Sequence, residues 1–215
     1  MENLNELMLK AAFKSEWEEV EKWVSRGADI NYRDPHGNFA LFTAAWEGHL
    51  PAMDLCYGLG AQISFEDANL LCNAAYNGKT DSVNWLLTKG ENADFSFRDT
   101  GENALHYTLS KTSEMDERTE IVKILIEAGT QVNKKTMAGQ PTLCFMRDAW
   151  LKGETPLHRA AAYADAAIIK MLLDAGADPS VKDANGDTPM SWGSWHLREA
   201  SVLRLLQYEG VPRIH

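Results

Sequence analysis

Apolar side chains recur three and four residues apart along much of the chain, which is the spacing of one face of an α-helix. Three segments share this spacing, and each is followed closely by a glycine: Val83, Leu86 and Leu87 before Gly90, Ile121, Ile124 and Leu125 before Gly129, and Ile168, Met171 and Leu172 before Gly176. Alanine pairs precede such glycines by 15 or 16 residues at Ala11-Ala12, Ala44-Ala45, Ala74-Ala75 and Ala160-Ala161. Because small side chains let helices approach closely, the pattern predicts helix pairs near residues 4–26, 38–59, 68–89, 103–128, 155–175 and 188–208.

The glycines that end these segments recur at nearly regular intervals. The tripeptide Gly-Ala-Asp stands at residues 27–29 and again at residues 176–178, and degenerate copies begin at Gly60, Gly90, Gly129 and Gly210. Consecutive glycines are separated by 33, 30, 39, 47 and 34 residues. A unit of about 33 residues is a known period of repeat proteins, so the chain is predicted to be an array of stacked units.

A second motif recurs in phase with the glycines. Its copies are Thr155-Pro156-Leu157-His158-Arg159-Ala160-Ala161, Thr188-Pro189-Met190-Ser191, Asn103-Ala104-Leu105-His106 and Phe39-Ala40-Leu41-Phe42-Thr43-Ala44-Ala45. This motif resembles the Thr-Pro-Leu-His-x-Ala-Ala signature of ankyrin repeats, and the resemblance covers nearly the whole chain.

The resemblance implies an all-α fold, an ankyrin-repeat solenoid of stacked helix-turn-helix units joined by β-turn or hairpin loops. We expect a single domain over residues 1–215. Its repeats are predicted at residues 1–33, 34–66, 67–96, 97–133, 134–181 and 182–215, and the fifth repeat contains an insertion at residues 137–153.

The charge of the chain narrows the class of partner. Its 215 residues include 31 Asp and Glu against 21 Lys and Arg, for a formal net charge of -10. Since nucleic-acid affinity comes largely from basic clusters, we predict no nucleic-acid partner. The sequence also lacks a stretch of about 18 apolar residues, so we predict no membrane insertion. An acidic surface favours a protein partner with a basic and apolar segment.

The cysteines and the first residues bear on the compartment. Three cysteines, Cys56, Cys72 and Cys144, without a Cys-x-x-Cys motif do not form a disulfide framework. Residues 1–10 lack the apolar stretch of a signal peptide. We therefore expect a cytoplasmic protein, although one exported by another route would have the same features.

The insertion at residues 137–153 is apolar for a loop, with Leu143, Phe145, Met146, Trp150 and Leu151. Two interpretations stay open at this point. The segment folds back over neighbouring loops and buries these side chains, or it is an element that binds a partner.

Ankyrin proteins generally bind partners through their loop tips and the concave face of the first helices, and the resemblance implies the same surface here. Aromatic side chains are expected in solvent at Trp46, Tyr76, Tyr163 and Trp195, and aromatic residues dominate binding hot spots. Trp192, beside Trp195, is expected instead to seal the end of the core. The predicted partner-binding residues are Arg33, His36, Asn38, Trp46, Glu47, Phe65, Tyr76, Asn77, Arg98, Tyr107, Trp150, Tyr163, Asp187 and Trp195.

Motifs of catalysis are absent from the sequence, which has no Gly-x-x-x-x-Gly-Lys phosphate loop and no His-Glu-x-x-His zinc site. His106 and His158 occupy the Thr-Pro-Leu-His position, where the ring is expected to hold the turn. We predict no enzymatic activity, no cofactor and no metal.

The favoured function is therefore a non-catalytic protein-interaction module, a scaffold, adaptor or inhibitor that is monomeric by itself. Two alternatives use the insertion. One is an enzyme acting through Cys144 or Asp148, and the other is a structural protein that self-associates through this segment.

Overall fold

The computed structural model describes residues 3–65, 68–111, 115–144 and 150–209, and all of the regular structure in these residues is α-helical. The all-α fold is therefore confirmed. The chain divides into two compact units, residues 1–91 and residues 92–215. The predicted repeat boundaries stay a prediction, and Phe145, Met146 and Asp148 lie outside the described residues.

The first unit contains three antiparallel helix pairs. They are α1 (Leu4–Phe13) with α2 (Trp17–Ser25), α3 (Ala40–Glu47) with α4 (Leu50–Gly58), and α5 (Leu70–Tyr76) with α6 (Thr80–Thr88). The first helices of successive pairs pack on each other in the order α1, α3, α5, and α4 packs on α6. Each pair lies within a range predicted from the sequence.

The second unit repeats this arrangement. Its pairs are α7 (Ala104–Thr108) with α8 (Met115–Glu127), α9 (Pro156–Tyr163) with α10 (Ala166–Asp174), and α11 (Pro189–Trp195) with α12 (Ala200–Leu205). The first helices pack in the order α7, α9, α11, and the second helices in the order α8, α10, α12.

Side-chain caps explain where several of these helices begin. The side-chain oxygen of Asn69 accepts from the backbone N–H of Cys72 at 2.7 Å, and that of Asp165 accepts from Ile168 at 2.9 Å. These bonds satisfy donors that the first helical turn leaves free. Pro156 stands at the start of α9, where its missing N–H costs no hydrogen bond.

Alanine pairs in neighbouring first helices of the first unit are almost completely buried. Ala44, Ala45, Ala74 and Ala75 are at most 1% exposed. A larger side chain at these positions would push the helices apart, so the alanine pairs set the spacing between neighbouring repeats.

Asparagine side chains connect the turn of one repeat to the turn of the next. The Asn31 amide donates to the Gly60 carbonyl at 3.1 Å and accepts from the Gln62 N–H at 2.8 Å. Asn133 makes the same pair of bonds to Gly176 and Asp178, both at 2.8 Å. These amides fix the register between adjacent loops.

The histidines of the Thr-Pro-Leu-His motif also act between repeats. His158 accepts from the Thr155 N–H through Nδ1 at 3.1 Å and donates from Nε2 to the Asp187 carbonyl at 3.1 Å. His106 is fully buried, and its Nε2 lies 3.4 Å from the Glu154 carbonyl. Burial, together with the charge of Arg159, lowers the pKa of His106 to about 3. The structural role predicted for these rings is confirmed.

A buried carboxylate closes one turn of the first unit. Glu91 is 7% exposed and accepts from the Ser64 hydroxyl at 2.9 Å and from the Asn69 amide at 2.8 Å. Burial raises the pKa of Glu91, although the two hydrogen bonds act against that rise.

The described part of the insertion is a hairpin. The N–H of Gly139 donates to the Leu151 carbonyl, and the N–H of Leu151 donates to the Gln140 carbonyl, both at 2.8 Å. Leu151 is buried, whereas Leu143 and Trp150 are exposed. The insertion thus buries part of its apolar surface and leaves part of it in solvent.

The hairpin is held by a buried ion cluster in the second unit. The Nη2 atom of Arg159 lies 2.7 Å from carboxylate oxygens of both Glu102 and Glu154, and all three side chains are at most 2% exposed. Glu102 in turn accepts from the Thr142 hydroxyl at 2.8 Å and from the Leu143 N–H at 3.0 Å. Because charged groups are costly to bury alone, the hairpin and the helices depend on the same three charges.

Replacing Leu172 by Ala tests the packing. Leu172 is fully buried in α10, so we expect Leu172→Ala to lower the free energy of unfolding by about 2 to 5 kcal/mol in a denaturant titration. Leu197, which is 91% exposed in the same unit, is the matched control, and Leu197→Ala should change it by no more than about 0.5 kcal/mol. Equal effects of the two substitutions would contradict the packing.

Replacing Arg159 by Met tests the cluster. Met preserves much of the side-chain volume but leaves two buried carboxylates without their cation, so Arg159→Met should cost about 3 to 5 kcal/mol of unfolding free energy. Lys170→Met is the control, since it breaks only the exposed pair with Asp174 and should have little effect. A tolerated Arg159→Met variant would mean that the cluster contributes little to stability.

Candidate functional site

A groove lies on the first unit, over the first helices. It has a volume of about 370 Å³, and its lining residues are Phe13, Asn38, Phe42, Thr43, Trp46 and Glu47. Three of the predicted binding residues, Asn38, Trp46 and Glu47, therefore come together in one place. Phe13 and Trp46 are 50% and 44% exposed, which makes the groove apolar and open to solvent.

Phe13 was not among the residues predicted from the sequence. It is the last residue of α1, at the end of an apolar pattern, where the sequence does not distinguish a core position from an exposed one. The sequence did contain one signal for Phe13. It lies at the end of the first helix of its repeat, as Trp46 does in the next repeat.

Aromatic contacts run from the loop of the first unit to the groove. The ring of Phe39 lies 4.7 Å from that of Phe65 and 5.7 Å from that of Phe42, and Phe42 lies 5.8 Å from Trp46. The guanidinium of Arg33 covers Phe39 and Phe65, with centroid distances of 5.7 and 5.3 Å. These ring contacts orient the two groove aromatics Phe42 and Trp46.

A second, smaller groove of about 240 Å³ shares Phe13 with the first. It is lined in addition by Glu6, Leu9, Lys10, Tyr32, Asp34 and Pro35. The side chain of Asp34 accepts from the N–H groups of His36 and Asn38 at 2.9 and 2.8 Å, and its bonds to Asn38 lower the pKa of this carboxyl. The loop tip that carries His36 and Asn38 is thus ordered by one carboxylate.

The other predicted residues of this unit have mixed environments. His36 is exposed at the loop tip, whereas Arg33, Phe65, Tyr76 and Asn77 are half-buried. The Asn77 amide donates to the Asn73 carbonyl at 2.9 Å, which orients it along α5. Their role in binding stays a prediction.

The predicted residues of the second unit differ more widely in exposure. Trp150 and Trp195 are 65% and 77% exposed, and Arg98 is also exposed. Tyr107 is buried and stacks on Phe97 with ring centroids 5.6 Å apart. The half-buried residues are Asp187 and Tyr163.

The two tryptophans of α11, Trp192 and Trp195, differ in exposure. Trp192 is buried and donates from its indole N–H to Asp183 at 3.1 Å, as expected for a side chain that closes the core. Trp195, by contrast, is largely exposed. The ring of Tyr163 meets that of His196 edge to face at 4.7 Å.

Cys144 is half-buried and contacts the buried ion cluster. Its sulfur lies 3.2 Å from a Glu102 oxygen, 3.1 Å from the Ser110 hydroxyl and 3.4 Å from Arg159 Nη1. Burial, only partly offset by the nearby Arg159 charge, raises the pKa of the thiol to about 12. Since the thiolate is the nucleophile, this environment suppresses the reactivity of Cys144.

The described residues contain neither a metal-binding cluster nor a membrane-spanning helix. In residues 3–65, 68–111, 115–144 and 150–209, no three His, Cys, Asp or Glu side chains are grouped so that they could hold a metal ion. Across the same part of the chain, every helix is too short or too polar to span a bilayer.

Comparison with known proteins identifies the repeats. A family model of ankyrin repeats in three copies matches residues 55–136, and a second model of ankyrin repeats in many copies matches residues 149–191. A putative ankyrin repeat protein of Rickettsia felis is 43% identical over 54 residues, which are 25% of this chain and 86% of that protein.

Two human proteins are similar over almost all of the chain. Mitochondrial disaggregase is 27% identical over 210 residues, covering 95% of this chain, and the chain spans only 26% of the length of that protein. The crystal structure of the ASB11 ankyrin repeat domain is similar in fold, with a TM-score of 0.74 and 22% identity over 99% of this chain and 88% of that one. Ankyrin repeats are general protein-interaction modules, and the fold is typically non-catalytic. From its recurring motifs, its helix pairs and these matches together, the chain belongs to the ankyrin-repeat family.

Proposed function

We propose that this chain is a non-catalytic module that binds a partner protein through the loop tips and first helices, with the groove of the first unit at the centre of the binding surface. The single observation that carries the proposal is the convergence of Phe13, Phe42 and Trp46 in one open groove. Exposed aromatic clusters are uncommon on soluble proteins unless they bind something, because leaving them in water forgoes the gain from burial.

The partner is proposed to present apolar and basic side chains. Glu47 lies in the main groove, and Glu6 and Asp34 line the adjacent one. An apolar side chain would fill the groove, and cations beside it would meet these carboxylates. The exposed residues of the second unit, Trp150 and Trp195, are proposed as separate partner contacts.

Catalysis in the insertion is not favoured as an alternative function. Cys144 is its nucleophilic candidate, and its sulfur donates to a carboxylate oxygen of Glu102 that is ion-paired with Arg159. The ion pair makes this carboxylate a weak base for activating the thiol. Self-association through exposed Leu143 and Trp150 remains the second candidate, and light scattering over a dilution series tests it.

A double substitution in the groove tests binding. Phe13→Ala with Trp46→Ala should reduce capture of a partner from the source-cell lysate by at least about tenfold, since central aromatic residues contribute most of the energy of an interface. Capture is quantified by mass spectrometry on the immobilised chain. Far-ultraviolet circular dichroism and a thermal melt check that the variant is folded.

Tyr57→Ala is the matched control, because Tyr57 is an aromatic residue of the same unit with 43% exposure, close to that of Trp46, on a second helix instead of a first. Partner capture by Tyr57→Ala should equal that of the wild type. The proposed surface is wrong if every protein captured by the wild type is captured equally well by the Phe13→Ala, Trp46→Ala variant.

The reactivity of Cys144 tests the catalytic alternative. We expect iodoacetamide at pH 8 to alkylate Cys144 at least about 100-fold more slowly in the folded chain than in the urea-unfolded chain, because little thiolate forms at a pKa of about 12. Peptide mass spectrometry gives both rates. A folded rate equal to or above the unfolded rate would show an activated thiol and revive the catalytic alternative.

A further inference from the structure

Phe42 and Trp46 form an open aromatic surface in the larger of the two grooves described above, which we call the main groove. Phe42 and Trp46 lie 5.8 Å apart, and their planes are tilted by only 36°. A cage for a quaternary ammonium group needs aromatic rings on several sides of the cation. Two rings at a shallow angle instead offer an extended π-surface, which suits a flat group that lies on it.

A carboxylate lines the groove beside these rings. Both oxygens of Glu47 lie close to the Ser15 hydroxyl, at 3.1 and 3.0 Å, and Ser15 is in the turn after α1. The hydroxyl therefore restrains the carboxylate while each oxygen keeps further capacity to accept hydrogen bonds. Within the described residues, Glu47 forms no ion pair with a lysine or arginine, so a cation from outside would not have to displace one.

The surrounding charge favours a cation. Residues 1–91, the first unit, contain 14 Asp and Glu against 7 Lys and Arg. Glu6 and Asp34 line the adjacent groove, where Lys10 is the one cation among the lining residues. An acidic surface around an apolar groove attracts a basic segment and disfavours an acidic one.

The same unit places cations of both kinds over aromatic rings, and Lys89 Nζ lies 4.7 Å from the Tyr57 centroid. Arg33 covers Phe39 and Phe65, and the guanidinium of Arg26 lies 5.2 Å from the centroid of Trp23. The guanidinium is flat and weakly hydrated, and it donates a fork of hydrogen bonds that matches a carboxylate. The ammonium of lysine is compact and strongly hydrated, so it gains less from an open aromatic floor.

We propose that the groove binds an arginine side chain of the partner protein, with the guanidinium stacked on Trp46 and Phe42 and forked onto the carboxylate of Glu47. This inference rests on the proposed function, since it names the residue type that the same surface recognises. Phe13, at the end of α1, lines the same groove and covers the aliphatic part of the arginine side chain.

The test uses small probes, so it does not require the partner. The 215-residue chain is titrated with N-acetyl-arginine amide, N-acetyl-lysine amide and N-acetyl-trimethyllysine amide. The indole N–H resonance of Trp46 is followed by NMR. Trp46→Phe assigns that resonance among the seven tryptophans. We expect saturable shifts with the arginine probe and an affinity about tenfold lower for the lysine probe.

Glu47→Gln removes the charge and keeps the shape of the side chain. It should weaken the arginine probe by about tenfold, because the charge-assisted fork is lost. Glu21→Gln, on the exposed part of α2, changes the net charge equally and should leave the affinity unchanged. The melting temperature of both variants should match the wild type, because both carboxylates are exposed.

Three outcomes would overturn the inference: no saturable shift with the arginine probe, equal affinity for lysine, or tightest binding of trimethyllysine, which would indicate an ammonium cage. An unchanged affinity in Glu47→Gln would overturn it as well. These failures are distinct from failure of the proposed function, because partner capture can still be lost in the Phe13→Ala, Trp46→Ala variant while the arginine probe shows no specific binding.

Discussion

The close approach of neighbouring first helices is the constraint on which the rest of this protein depends. Small side chains such as Ala44 and Ala74, which are fully buried in α3 and α5, allow this approach. A single helix pair cannot bury its apolar face, so each repeat is stable only against a neighbour. Within each unit, this spacing also sets how far apart the loops lie, and therefore which side chains can bridge them.

The bridges between loops are polar and specific. Asn31 and Asn133 each hold the backbone of the following turn, and His158 does the same from the start of its helix to the Asp187 carbonyl. Buried polar groups of this kind stabilise one register and penalise others, since an unmade bond in the interior is costly. The ordered loop beside the groove, with Asp34 binding two backbone N–H groups, follows from the same principle.

Local signals in the sequence were sufficient for the helix pairs. Glycine spacing, alanine pairs and the Thr-Pro-Leu-His motif act within about one repeat, so the sequence predicts all six pairs without knowledge of distant contacts. The fate of the insertion was not predictable in this way. Leu151 is buried and Trp150, its neighbour, is exposed because the hairpin is pinned by Glu102 and Arg159, which are far apart in sequence. The candidate site was anticipated through Trp46 and Glu47, whereas Phe13 required the packing of α1 against α3 to place it.

Two groups buried at the turns, His106 and Glu91, respond to acid in opposite directions. In the second unit, His106 stays neutral down to a pKa of about 3, whereas an unfolded histidine takes up a proton near pH 6.5, so acidification over that interval favours unfolding. In the first unit, the raised pKa of Glu91 means that the folded state binds a proton more readily than the unfolded chain does. The same fall in pH therefore strengthens the contribution of Glu91 to folding while it weakens that of His106. A buried histidine and a buried carboxylate at equivalent kinds of turn are thus opposite proton-linked contributions to one fold.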